Sequence, residues 1–171
     1  FLWGSANAYN SSQDRDTGPV NLLPNPPPIP KYLLHFSLSL KCGALLLSAV
    51  ISLPTFIITA AAVVLSLFYS TRGRTFRRGK EIPVVDILIN AIGCGLISIA
   101  LGYSFTGAAF TWTLLATGLA FSVAIFGGLP TSQIFQLDAT SSYQEEHNYT
   151  SWLGPRRTLR VGSLMLGIHL L

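Results

Sequence analysis

Asn10, Asp14 and Asp16 lie in the stretch "NSSQDRDTGP", which is acidic in an otherwise oily chain. On a helix, a spacing of four places Asn10 and Asp14 on one face, one turn apart. Asp16 follows two residues later, where Gly18-Pro19 should already have broken the helix. An amide oxygen and two carboxylates offered to one point form a donor set for a hard cation. Mg²⁺ takes oxygen ligands and keeps several waters, binding through one or two carboxylates plus substrate phosphates. The plainer reading is a solvated helix end in which Asp14 and Asp16 pair with Arg15 or Lys31.

A second polar stretch, "YSTRGRTFRRGKEIP", packs Arg72, Arg74, Arg77, Arg78 and Lys80 close together. A basic cluster beside a membrane span serves topology or binds anionic lipid heads. It also suits a diphosphate, because guanidinium forks match phosphate oxygens two at a time. A nucleic acid is a poor partner for a loop tied down by two membrane helices. The third stretch begins "TSQIFQLD". Gln133 and Gln136 sit at helical spacing, Asp138 follows, and Glu145, Glu146 and His147 form a further cluster that is either solvated charge or a metal site. Polar side chains at the edge of a span are costly in lipid and tend to face a cavity, which makes Gln133, Gln136 and Asn90 candidates for its lining. Asn90 serves equally well as a hydrogen bond between helices.

The elements that must position these residues are membrane helices. Half of the 171 residues are hydrophobic, only 11% are charged and the mean hydropathy is +0.49, against about a quarter charged in ordinary soluble domains. A spanning helix needs about 20 apolar residues. Leu33 to Leu53 meets that need, Thr55 to Tyr69 follows it with Pro54 as the turn between two antiparallel helices, and Asp86 to Tyr103 and a stretch within Ala108 to Ile134 are the third and fourth candidates. Phe1 to about Asn10 reads as a helix end and Thr158 to Leu171 as a helix start. The fold class is therefore all-α, a polytopic transmembrane bundle of about four complete spans and two partial ones, in a single domain over residues 1–171. The chain opens on Phe1 and stops inside an apolar run, so it is expected to be part of a longer protein. Cys42 and Cys94 fall within apolar runs and read as packing residues.

This parity puts loops 1–32, 70–85 and 135–157 on one side. With Asp86 counted at its helix edge, they hold every acidic residue, and all Lys and Arg except Lys41, with Arg160 just inside the last helix. The positive-inside preference makes that side cytoplasmic. The sequons at Asn10 and Asn148 are then chance occurrences.

Taken in order, the three stretches resemble the UbiA superfamily of intramembrane prenyltransferases. "NSSQDRDTGPV" is similar to a variant of its first Asp-rich motif. "FYSTRGRTFRRGKEIPVVDILINAIGCGL" is similar to its Tyr-Ser basic loop and the helix after it. "TSQIFQL" and "GPRRTLRVG" are similar to the flanks of its second Asp-rich motif. The likeness covers nearly the whole chain, as helices two to seven of a usual eight or nine. The chain departs from the family in the stretch 139–153, where the second acidic cluster would fall, and either Asp138 or Glu145 and Glu146 take its place. The basic loop lacks the proline often seen after Tyr-Ser.

The resemblance implies Mg²⁺-dependent transfer of a prenyl group from a prenyl diphosphate to a lipophilic, typically aromatic acceptor inside the lipid bilayer. It implies a metal cluster of Asn10, Asp14 and Asp16 with Asp138, and catalytic roles for Asp14 and Asp16. It assigns the substrate to Asn7, Tyr69, Arg72, Arg74, Arg77, Lys80, Asn90, Gln133 and Gln136. The alternative is a catalytically inactive relative that persists as a membrane protein. A transporter fits poorly, because the far side carries no charge, and a soluble helical core is excluded by four apolar runs of membrane length.

Overall fold

The computed structural model describes residues 1–14, 27–73, 77–137 and 148–170, all helix or connection. Helix α1 is Leu2–Asp14, running past Asn10 and carrying Asp14. Helices α2 (Leu33–Ile51) and α3 (Leu53–Ser70) form a hairpin around Ser52, whose extended backbone breaks the helix. The Ser52 hydroxyl accepts the Thr55 N–H at 3.2 Å, and Pro54 sits in the first turn of α3, where its missing N–H costs nothing. The turn expected at Pro54 is thus made by Ser52.

The third span is one rod, Pro83–Ser104. It consists of α4 (Pro83–Ala91), a wide π-turn over Ile92–Ile97 and α5 (Ser98–Ser104). Within it the Ser98 N–H reaches back five residues to the Gly93 carbonyl. Helix α6 (Trp112–Leu137) returns, short α7 (Tyr149–Leu153) follows, and α8 (Pro155–His169) packs along α6. Among the described residues, four helices are long and apolar enough to cross a membrane: Leu33–Ile51, Leu53–Ser70, Pro83–Ser104 and Trp112–Ile134.

The packing has the logic of a lipid solvent. Large apolar side chains such as Leu46, Val50, Ile57, Val64 and Leu119 face outward, a liability in water but a solvated face in a bilayer. Many of the buried positions between α2 and α3 are small or hydroxylic, such as Ser37, Ser48, Thr55, Thr59 and Ala62, as expected where helices associate by close packing. Ser37 and Ser48 return their hydroxyls to the carbonyl three residues back, and Thr55 donates to Ser104 at 3.0 Å, tying α3 to α5 at the far end. The charge within α2, Lys41, is 2% exposed; its Nζ donates to Ser66 Oγ at 2.7 Å and lies 5.3 Å from the centre of the Tyr9 ring. Together these features describe an integral membrane protein. At the near end, the C-termini of α1, α3 and α6 meet the N-termini of α4 and α8.

Candidate functional site

A cavity of about 460 Å³ opens among α1, α3, α4, the π-turn and α6 at that near end. Asn7, Asn10, Asp14, Tyr69, Lys80, Asn90 and Gln133, picked from three separate stretches of sequence, all line it. Among the described residues its walls carry two carboxylates, Asp14 and Asp86, each in a different setting.

Asp14 forms the first pole. One turn of helix brings Asn10 beneath it, and Asn10 Nδ2 donates to Asp14 Oδ2 at 2.7 Å. The Asn10 amide oxygen accepts the Ser70 hydroxyl at 2.9 Å, which fixes its orientation and joins α1 to α3. Two cations converge on the carboxylate: Arg78 Nη1 on Oδ1, and Lys80 Nζ on Oδ2 at 2.8 Å. They are aimed by a 3₁₀ turn over Gly79–Glu81. Glu81 accepts both the Arg78 backbone N–H and its Nε, the latter at 2.7 Å. Gly79 lets this turn lie flat on the helices, since a Cβ there would stand 2.8 Å from Ile89 Cδ1 and 3.2 Å from Tyr69 Cα.

Burial opposes the charge on Arg78, but Glu81 and Asp14 outweigh it and hold the guanidinium above its ordinary pKa. Partial burial likewise opposes ionisation of Glu81, and Arg78 wins, holding the carboxyl below its usual range. A depressed carboxylate stabilises the fold above the unfolded value, about 4.3, and loses that contribution as pH falls through the lower folded value. Wild type is therefore expected to melt above Glu81→Gln at neutral pH, with the gap closing below pH ~4. Melting curves across pH 3 to 7 check this, and a gap that persists unchanged to the acid limit would contradict it.

Asp86 forms the second pole, in the first turn of α4 after Pro83, and is 1% exposed. Its Oδ1 accepts the Tyr69 hydroxyl at 3.0 Å and Asn90 Nδ2 at 3.1 Å. Its Oδ2 accepts the Tyr149 backbone N–H at 3.4 Å, and the Gln133 side chain also hydrogen-bonds the carboxylate. Thr150 donates to the Pro130 carbonyl and to Gln133 Oε1, both at 3.0 Å, which locks α7 onto α6. Asn148 caps α7 by accepting the Ser151 N–H at 2.8 Å and lines the cavity. The sequon asparagines are thus committed to internal bonds.

The remaining residues picked from sequence are placed as follows. Arg72 and Arg77 are exposed and do not line the cavity. Gln136 is in the last turn of α6. Asp16, Arg74, Asp138, Glu145, Glu146 and His147 lie outside the described residues. Among the described residues no three His, Cys, Asp or Glu side chains gather as a metal site. Cys94, read as packing, lines the cavity as a free thiol. Sequence reasoning missed Arg78 as the residue that turns inward, and missed Asp86. The signal for Asp86 was present: an acid one helical turn from Asn90, at the start of a span, is a site by default.

Among models of protein families, that of the UbiA prenyltransferase family matches residues 1–170. No curated protein and no solved structure matches the chain.

Proposed function

Because the chain belongs to the UbiA prenyltransferase family, we propose that it transfers a prenyl group from a prenyl diphosphate to a lipophilic acceptor at the cavity between Asp14 and Asp86. The observation that carries this is the Asp14 pole: a carboxylate that accepts from the Asn10 amide and on which Arg78 and Lys80 converge, in a cavity among membrane helices. Diphosphate binding needs cationic donors and an apolar surface for the tail, and the cavity joins Lys80 to the apolar side chains of Trp3, Leu65, Ile89 and Leu129.

The residues fit a hard divalent cation. The Asp14 carboxylate is an oxygen donor, and Asn10 Oδ1 would join it on turning its amide away from Ser70; so small a protein contribution leaves positions for waters and phosphate oxygens, the pattern Mg²⁺ prefers. Asp16 and Asp138 are proposed to complete this set. When bound, Mg²⁺ supplies Lewis-acid neutralisation of the leaving diphosphate. Arg78 and Lys80, now paired with Asp14, carry donors of the type that grips phosphate oxygens and would be available to the diphosphate if Asp14 held a cation. Lys80 and Arg78 then stabilise charge as it develops on the leaving group, with Arg72, Arg74 and Arg77 drawing the anion toward the loop. The Tyr69 hydroxyl, pinned by Asp86, borders the reacting end. Asn7, Asn90, Gln133 and Gln136 are assigned to substrate, and the acceptor is aromatic or otherwise lipophilic. The whole chain is taken as one catalytic domain, with the charged end cytoplasmic by the positive-inside preference.

Cys94 gives a test with a readout beyond turnover. In a Cys42→Ser background, a non-hydrolysable prenyl thiolodiphosphate plus Mg²⁺ is expected to slow thiol labelling of Cys94 at least about tenfold, the protection that a bound population of 90% gives. Binding of the same analogue, measured directly, should require Mg²⁺. Labelling that is equally fast with and without analogue and Mg²⁺, together with Mg²⁺-independent binding, favours the inactive-relative reading.

A further inference from the structure

We propose that the outer face of α8 docks the headgroup of an anionic phospholipid, a role that goes beyond prenyl transfer and does not depend on it. Arg156, Arg157 and Arg160 are all exposed near the start of this helix, and its first turn holds no acid. Cations at a helix N-terminus oppose the dipole, whose positive end lies there. The helix by itself therefore gains nothing from carrying them, and an anion beside them relieves the repulsion.

The helix register shows where that anion stands. Thr158, Gly162 and His169 mark the side of α8 turned to α6. Thr158 and Gly162 are buried, a Cβ on Gly162 would stand 2.7 Å from the Gly127 carbonyl oxygen, and His169 Nδ1 donates to the Ala120 carbonyl at 2.9 Å. At about 3.6 residues per turn, the three Arg project from the opposite side. Leu164 lies one turn beyond Arg160 on that same side, Ile168 one turn further, and both are exposed. One outward strip thus passes from guanidinium groups to bare apolar side chains within about 12 Å of helix. A phospholipid has the same order, phosphate first and acyl chains beneath. Trp152, 62% exposed in α7 just ahead of Arg156, supplies an amphipathic ring of the kind that settles at this boundary. A zwitterionic lipid offers the same tails with no net charge to meet three cations. An anionic headgroup meets them, and guanidinium forks suit its phosphate oxygens.

The test uses Trp152 as the reporter, since Trp3→Phe with Trp112→Phe leaves it the one tryptophan in the chain. The full chain is reconstituted in phosphatidylcholine bilayers containing acyl-brominated phosphatidylglycerol or acyl-brominated phosphatidylcholine, so that the quencher is the same and only the headgroup differs. From the quenching of Trp152, phosphatidylglycerol is expected to associate at least about fivefold more strongly, the effect of about one Arg near an anionic surface. Exposed charges are screened, so this preference should fall as salt is raised. Arg156→Gln, Arg157→Gln and Arg160→Gln together should bring the two lipids level. Lys31→Gln, which removes an exposed cation just before α2, should leave the preference unchanged. Equal quenching by the two lipids overturns the proposal, as does a preference that survives the triple substitution or that Lys31→Gln removes as well. Displacement of phosphatidylglycerol from Trp152 by the prenyl thiolodiphosphate would give the three Arg to the diphosphate site, and would overturn it too.

Discussion

Asp14→Ala is expected to abolish Mg²⁺-dependent binding of the donor analogue and to lower prenyl transfer at least about a hundredfold, the usual scale for removing a group that stabilises developing charge. Two effects are folded into that loss, and the structure separates them. Asp14 is the shared partner of Arg78 and Lys80, and the side chains of Asp14 and Arg78 are 5% and 4% exposed. Removing one member of a buried ion pair strands the other and costs about 3–5 kcal/mol. Glu81 still holds Arg78 Nε, so the stability loss belongs near the lower figure. The double substitution Asp14→Asn with Arg78→Met removes both charges at similar volume. It should recover most of the melting temperature while leaving Mg²⁺-dependent binding absent. Recovery of binding together with stability would reduce Asp14 to a structural residue, and full Mg²⁺-dependent binding in folded Asp14→Ala would end its assignment outright.

The membrane bundle was legible because each span is an uninterrupted apolar run, and such a run has few alternatives in water or lipid. The first acidic motif was legible for a similar reason. Helical spacing alone puts Asn10 and Asp14 on one face, and the structure adds only that α1 continues far enough to carry them both. Composition gave no means of ranking the basic residues. Arg72, Arg77 and Arg78 are alike in sequence, and what turns Arg78 inward is a 3₁₀ turn held by Glu81 and allowed by Gly79. Asp86 was obscured by a boundary of a few residues. Hydropathy starts the third span at Asp86 and so counts it with the loop, whereas Pro83 starts the helix and carries Asp86 inside its first turn. A single turn of helix separates a solvated acid from a cavity wall. The link between Asp86 and Tyr149 spans a long sequence separation, and no local pattern announces such a bond.

The second large effect is expected far from any charge, at Gly95→Val. A Cβ at Gly95 would stand 2.5 Å from the Cα, N and Oγ of Ser122. Two of those three atoms are backbone, so no rotamer change relieves the clash and α6 must move as a body. The same contact carries the bond from the Leu96 N–H to Ser122 Oγ at 3.0 Å, which the displacement would break, stranding a donor in the membrane interior. Overpacking of a filled interior costs about 1–3 kcal/mol, and loss of the buried bond adds about 1 kcal/mol. Because Gly93 and Cys94 on one side and Leu129 and Gln133 on the other line the cavity, displacing α6 also moves opposite walls of the site. Gly95→Val should therefore lower both the melting temperature and donor-analogue affinity. Gly102→Ala is the matched control: it lies on the same rod, nothing stands within 4 Å of its Cβ, and exchanging glycine for alanine in a helix gains about 0.5–1 kcal/mol. It should be neutral or slightly stabilising, with donor binding unchanged. If both substitutions behave alike, the α5–α6 side of the bundle is loose in the membrane and the cavity geometry does not depend on that crossing. A loss confined to Gly95→Val identifies the close approach at Ser122 as what holds the two walls of the site at their working distance.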